Sequence, residues 1–101
     1  MSRESLISGG YMKYIHERYF LNANESVEVQ CSQRCAVYLF TPEEFKLFRA
    51  DLRGPHQNYN PIFQESPQVL TVFYSDFWEL VIIFENDDKN ITYSVTTLVG
   101  S

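Results

Sequence analysis

The sequence lacks any hydrophobic run that could cross a bilayer, since a membrane helix needs about 18 consecutive apolar residues. It has only four glycines and four prolines in 101 residues, which excludes a fibrous or linker-like protein. Its first ten residues, MSRESLISGG, lack the apolar core of a secretory signal. We therefore expect a cytoplasmic protein that does not associate with membranes.

Motifs for catalysis and metal binding are also missing. The chain has two histidines and two cysteines, and it contains no glycine-rich phosphate loop, no G-x-S-x-G elbow and no H-E-x-x-H pair. His16 and His56 lie far apart in the sequence, and no carboxylate pair is marked out by its spacing. We therefore expect a protein that is not an enzyme and that holds neither a metal nor a cofactor.

Basic residues are scarce in the second half of the chain. The whole sequence has 8 Lys and Arg against 13 Asp and Glu, a net charge of −5. Residues 1–53 are balanced, whereas residues 54–101 have Lys89 as their single basic residue. Because binding to a phosphate backbone needs clustered Lys and Arg, nucleic acid is not an expected partner.

What the sequence does contain is a series of short segments with period-2 alternation, typical of half-buried strands. With 45% hydrophobic residues, one core is expected, in a single domain over residues 12–101 after a flexible tail over residues 1–11. The fold class predicted is all-β, an antiparallel jelly-roll-like sandwich with one short inserted helix. The predicted strands are Lys13–Leu21, Ser26–Cys31, Cys35–Phe40, Val69–Tyr74, Phe77–Phe84 and Ile91–Val99. The predicted core comprises Val27, Val29, Val37, Leu39, Phe45, Phe48, Val72, Trp78, Leu80, Ile82, Phe84, Ile91, Tyr93 and Val95.

The helix is predicted from its ends. Thr41 is a good N-cap, Pro42 occupies the first helical position, and Glu44 completes a T-x-x-E capping box. Phe45, Phe48 and Leu52 then form an apolar face, and Gly54 stands where a terminating glycine belongs.

Cys31 and Cys35 flank a three-residue gap between two predicted strands, which we interpret as a hairpin. Zinc needs about four ligands, and a redox C-x-x-C needs a two-residue gap. A disulfide across the hairpin is geometrically feasible, although a cytosolic chain usually keeps its thiols reduced. The favoured interpretation is a pair of small half-buried apolar residues.

Two surfaces are candidates for binding. Lys46, Arg49 and Arg53 line one edge of the helix and could engage an acidic partner or a phosphate. The alternative is that they complement the helix dipole, with Glu43 and Glu44 at the opposite end. The long segment Gly54–Pro67 carries amides and an aromatic ring suited to a sugar or a protein, in particular His56, Asn58 and Tyr59; alternatively it is a crossover that covers the sandwich.

The chain resembles the bacterial domain-of-unknown-function family 1883, whose members begin Met-Lys-aromatic-x-His and reach a late tryptophan strand. The positions that carry the resemblance are Met12, Lys13, Tyr14, His16, Leu21, Ala23, Val27, Val29, Cys31, Cys35, Val37, Leu39 and Trp78. It implies a small β-sandwich, found alone or beside signalling domains, with no catalytic residues to transfer. The glycine-rich segment usual in the family is replaced here by GPHQNYNPIFQESP.

Our functional hypothesis is a small non-enzymatic protein-interaction module, either a host accessory or a phage-encoded inhibitor of a bacterial defence system. Its partner-binding residues would be Lys46, Arg49, Arg53, His56, Asn58 and Tyr59. The alternative is a sandwich that binds a carbohydrate or another small ligand, with Tyr59 as the stacking platform. An edge strand could also pair with a second copy, which leaves a homodimer open.

Overall fold

The strands expected from alternation are present, together with one further strand. The computed structural model describes residues 3–8, 13–53, 61–86 and 90–99. Helix α1 (Pro42–Arg53) lies between the fourth and fifth strands. In chain order the strands are β1 (Arg3–Ser8), β2 (Lys13–Leu21), β3 (Ser26–Cys31), β4 (Cys35–Phe40), β5 (Gln68–Thr71), β6 (Asp76–Phe84) and β7 (Tyr93–Leu98).

The bounds of β2, β3 and β4 are as predicted, and those of the later strands agree to within a few residues. The extra strand, β1, lies in the segment expected to be a tail, and it pairs antiparallel with β2. Its sequence, RESLIS, has only two apolar residues, so alternation alone gives little indication of a strand.

The strands form two antiparallel sheets. Sheet A has four strands in the order β1-β2-β6-β4, and sheet B has three in the order β5-β3-β7. The predicted all-β sandwich with one inserted helix is therefore confirmed. Strand β6 lies between β2 and β4, and its residues from Trp78 to Ile83 are all buried, as the near-continuous apolar run FWELVIIF indicates.

Every connection from β2 to β7 carries the chain from one sheet to the other. The interpretation of Cys31 and Cys35 as the flanks of a hairpin is therefore wrong, because β3 pairs with β5 and β7 whereas β4 pairs with β6. A short loop is compatible with a hairpin and with a corner between sheets. The choice depends on pairing with strands that lie much later in the sequence.

The main core fills the space between the sheets. Val27 and Val29 of β3 point to it from sheet B, while Leu80 and Ile82 of β6 point to it from sheet A, and all four are fully buried. Five residues predicted for the core, Leu39, Phe84, Ile91, Tyr93 and Val95, are only partly buried.

A second apolar layer lies between the outer face of sheet A and helix α1. Phe45 and Phe48 pack there against Tyr14, Val81 and neighbouring buried residues. The helix begins as predicted, because the Thr41 hydroxyl accepts from the Glu44 amide at 3.1 Å and the Glu44 carboxylate accepts from the Thr41 amide at 2.9 Å. This reciprocal capping box satisfies two amides at the start of the helix.

In the described part of the chain, no helix has the length and apolar character needed to cross a membrane.

Candidate binding site

The outer face of sheet A is only partly covered by helix α1. Side chains of β2 and β6 alternate between the two faces, so every second residue lies on the helix side. His16 is under the helix, where its ring stacks on Phe45 with centroids 4.0 Å apart. Beyond it, the pairing of β2 with β6 places Arg18 opposite Glu79 and Phe20 opposite Phe77.

Glu79 is a fully buried carboxylate at the centre of this face. His16 Nε2 donates to its Oε1 at 2.6 Å, and Arg18 Nε donates to its Oε2 at 2.8 Å. A buried charge is tolerated only when it is paired and hydrogen-bonded, and here both carboxylate oxygens have a partner. Glu79 therefore holds an imidazole and a guanidinium in fixed positions next to each other.

Phe20 and Phe77 lie side by side at the uncovered end of the face. Their ring centroids are 5.2 Å apart in an edge-to-face arrangement, yet the two residues remain 55% and 50% exposed. The Arg18 guanidinium lies 5.9 Å from the centroid of Phe77, within the range of a cation–π contact. Two large apolar rings and a cation thus share one exposed surface.

The predicted basic helix edge lies on the same side of sheet A, over the part of the face that the helix covers. Arg49 is exposed, and its guanidinium lies 5.7 Å from the centroid of Phe45, the ring that stacks on His16. Lys46 is also exposed, one turn earlier. We call Arg18, Phe20, Arg49 and Phe77 together the arginine–phenylalanine patch.

The remaining residues predicted for the site are placed only in part. Arg53 ends helix α1, and its side chain is outside the description. His56, Asn58 and Tyr59 fall in residues 54–60, which lie outside the described residues. The alternative of a carbohydrate site, which depends on Tyr59, therefore stays a prediction.

Arg18, Phe20, Phe77 and Glu79 were missed by reasoning from the sequence. The indication that could have found Arg18 and its buried partner Glu79 is the break in alternation at His16, Glu17 and Arg18, which places three consecutive polar side chains on one strand. The structure puts the outer two on the helix side and Glu17 between the sheets.

Glu17 forms a second buried polar cluster, which links the sheets. The carboxylate accepts from the Tyr19 hydroxyl on its own strand and from the Tyr93 hydroxyl of β7 at 2.9 Å. Since β2 and β7 belong to different sheets, these bonds fix one sheet against the other.

The cysteines form a third polar group, at the corner where β3 leads into β4. Their Sγ atoms are 2.9 Å apart, and both thiols are free. The hydrogen bond between the two sulfur atoms lowers the pKa of the Cys35 thiol, against the opposing effect of burial. The same contact, together with burial, raises the pKa of Cys31. Among the described residues, no three His, Cys, Asp or Glu side chains are grouped as metal ligands would be.

The chemistry available on the outer face of sheet A is recognition by fixed cations and aromatic rings. The bond to Glu79 uses Nε of Arg18, and the side chain is still 53% exposed. A guanidinium has further N–H donors that suit a carboxylate. The patch can therefore combine an ionic contact with an apolar one.

The comparisons with known proteins identify a family and assign no activity. Residues 12–99 match the model of a family described as "Domain of unknown function (DUF1883)". No curated protein and no solved structure matches the chain.

Proposed function

The chain belongs to the DUF1883 family, and because that description names no activity, we propose a function from the arginine–phenylalanine patch. The domain is a protein-interaction module that binds an acidic segment of a partner protein, one that also presents an apolar or aromatic side chain. The observation that carries this proposal is the exposed pair of Phe20 and Phe77 beside an arginine fixed by a buried glutamate.

The aromatic pair supports an interface because large apolar rings gain by leaving water. Exposed apolar groups that cluster are typical of interaction sites, and aromatic residues and arginine are enriched at the centres of protein interfaces. Phe20 and Phe77 are already in contact with each other, so a partner side chain would meet an ordered surface.

The charge of the patch supports an acidic partner. The domain as a whole carries −5, yet the guanidinium groups of Arg18 and Arg49 lie 5.9 and 5.7 Å from the centroids of aromatic rings on this face. Glu79 is fully buried, so the part of this group that reaches solvent is cationic. A partner with Asp or Glu beside an apolar side chain would complement both features.

The fixed position of Arg18 supports the proposal through entropy. Immobilising a flexible side chain on binding costs about 0.5–1.5 kcal/mol. The Glu79 bond and the Phe77 ring already restrict the guanidinium, so part of that cost is met in the free protein. Arg18 is therefore a better contact residue than a freely moving surface arginine.

The test is a selection of peptides from a random display library on the full chain, followed by affinity measurements. The wild type should enrich peptides that contain both acidic and aromatic or aliphatic residues. The double variant Arg49→Glu/Phe77→Ser should weaken their binding at least about tenfold, the loss expected of a central contact residue. It leaves His16, Arg18 and Glu79 unchanged.

A matched control makes the same chemical changes elsewhere. Arg34 and Phe73 are both exposed and lie outside the patch, so Arg34→Glu/Phe73→Ser should bind like the wild type. Enrichment of peptides that bind the wild type and the Arg49→Glu/Phe77→Ser variant with equal affinity would overturn the proposal. So would self-association of the wild type, seen by sedimentation and lost in the patch variant, because the occupant would then be a second copy.

A further inference from the structure

The two cysteines lie at the corner where sheet B leads into sheet A, and the proposed binding function does not use them. Cys31 ends β3 in sheet B, where it pairs with Tyr93, and Cys35 begins β4 in sheet A, where it pairs with Phe84. Their sulfur atoms meet across the corner at 2.9 Å. The contact therefore joins the two sheets at one end of the sandwich.

Both cysteines are held in place by their backbones. The Cys31 amide donates to the Ser66 hydroxyl at 2.8 Å. Cys35 exchanges two backbone hydrogen bonds with Gln64, at 2.9 and 3.1 Å, and its carbonyl also accepts from the Gln68 amide group at 2.8 Å. A disulfide bond of about 2.05 Å would therefore require the sulfurs to approach by less than about 1 Å, on a backbone that already brings them together.

The surroundings favour a thiolate on this pair. The Cys31 thiol lowers the pKa of Cys35 by hydrogen bonding, and the Ser66 hydroxyl lowers it further. Cys31 is only partly buried, whereas Cys35 is fully buried. The thiolate therefore forms on Cys35, and its Sγ lies 2.9 Å from the Sγ of Cys31.

From this geometry we propose that Cys31 and Cys35 are a redox modification site, which forms a reversible disulfide between the sheets on reaction with a hydroperoxide. Thiolates are the form of cysteine that reacts with a peroxide, and the second sulfur needed for a disulfide is already in contact with the first.

The reaction balances in two steps. A cysteine thiolate attacks one oxygen of hydrogen peroxide, the O–O bond breaks, and the hydroxide that leaves takes up a proton to become water. The second thiol loses its proton and attacks the sulfenic acid sulfur. The S–S bond forms, the S–O bond breaks, and the oxygen leaves as a second water. Two electrons pass from the thiols to the peroxide.

The test uses the wild-type chain, reduced, freed of reductant and treated under native conditions with a small excess of hydrogen peroxide. Trypsin cuts after Arg18, Arg34 and Lys46, so it separates the two cysteines into peptides 19–34 and 35–46. We expect mass spectrometry to find these peptides joined by a disulfide, and dithiothreitol to release both. Neither peptide contains methionine, so any oxygen gained on them can be sought on cysteine.

The single variants Cys31→Ser and Cys35→Ser provide the control. Each variant lacks the second thiol and cannot form a disulfide within the chain. Its remaining cysteine should therefore be oxidised to a sulfenic or sulfinic acid. Separate wild-type peptides carrying sulfinic acid would overturn the proposal. Disulfide-linked dimers of the chain, or thiols that stay unreacted, would overturn it as well.

Discussion

Replacing Glu79 with alanine should destabilise the domain far more than replacing Glu85, although each glutamate pairs with an arginine. Glu79 is 0% exposed and accepts from His16 at 2.6 Å and Arg18 at 2.8 Å. Glu85 pairs with Arg34 at 3.5 Å, and those side chains are 35% and 49% exposed. Both changes remove a carboxylate from an ion pair, so the comparison sets a buried, doubly paired carboxylate against a more exposed one with a single partner.

The expected magnitudes follow from these environments. Removing one partner of a buried ion pair costs about 3–5 kcal/mol. Arg18 is half exposed and can be rehydrated, so the lower end, about 3 kcal/mol, applies to Glu79→Ala. An exposed pair contributes about 0–1 kcal/mol. Since 1 kcal/mol shifts Tm by about 4–8 °C in a domain of this size, Glu79→Ala should lower Tm by about 12 °C or more.

The assay is urea unfolding followed by the fluorescence of the single tryptophan, with thermal melting by circular dichroism as a second probe. Glu79→Gln should fall between wild type and Glu79→Ala, because the amide keeps the shape and one acceptor but loses the charge. A loss for Glu79→Ala within about 1 kcal/mol of that for Glu85→Ala would refute the reasoning. It would mean that His16 and Arg18 do not depend on the buried carboxylate.

Three further changes test other parts of the structure. Cys31→Ala removes a hydrogen-bond donor, so the pKa of Cys35 should rise, and the appearance of ultraviolet thiolate absorbance should move to higher pH; an unchanged titration would contradict this. Thr41→Ala deletes the N-cap that accepts from Glu44 and should cost about 1 kcal/mol in urea unfolding, whereas no loss would show that the cap is dispensable. Trp78→Phe removes a buried indole N–H that finds no acceptor in the described part of the chain. Trp78→Phe should therefore lose much less unfolding free energy, followed by thermal melting, than the roughly 3–5 kcal/mol expected of Trp78→Ala. Equal losses for the two variants would contradict this reasoning.

Local features of the fold were predictable because they depend on neighbouring residues. The capping box at Thr41 and the alternation of β3 involve interactions within a few positions, and both are present as expected. The corner at the cysteines was not predictable in this way. A three-residue connection satisfies a hairpin equally well, and its geometry is decided by β6 and β7, which follow much later.

The buried part of the candidate site, Glu79 with its partners His16 and Arg18, could be inferred from the sequence. FWELVIIF indicates a strand covered on both sides, yet it contains Glu79, and a carboxylate in such a place needs a hydrogen-bonded cationic partner. The chain has few cations, and those on β2 interrupt its alternation. The sequence therefore supports pairing Glu79 with His16 or Arg18, although Arg18 and Glu79 are 61 residues apart.

The exposed part could not have been inferred, because exposure depends on where the helix stops covering the sheet. Phe20 and Phe77 read as ordinary strand residues, and alternation puts each on the helix side together with Arg18 and Glu79. Only the register of β2 against β6 and the position of α1 show that the helix covers His16 and leaves this pair in solvent. The two phenylalanines of the patch are thus core-like in sequence, and they are exposed because helix α1 covers only part of the face.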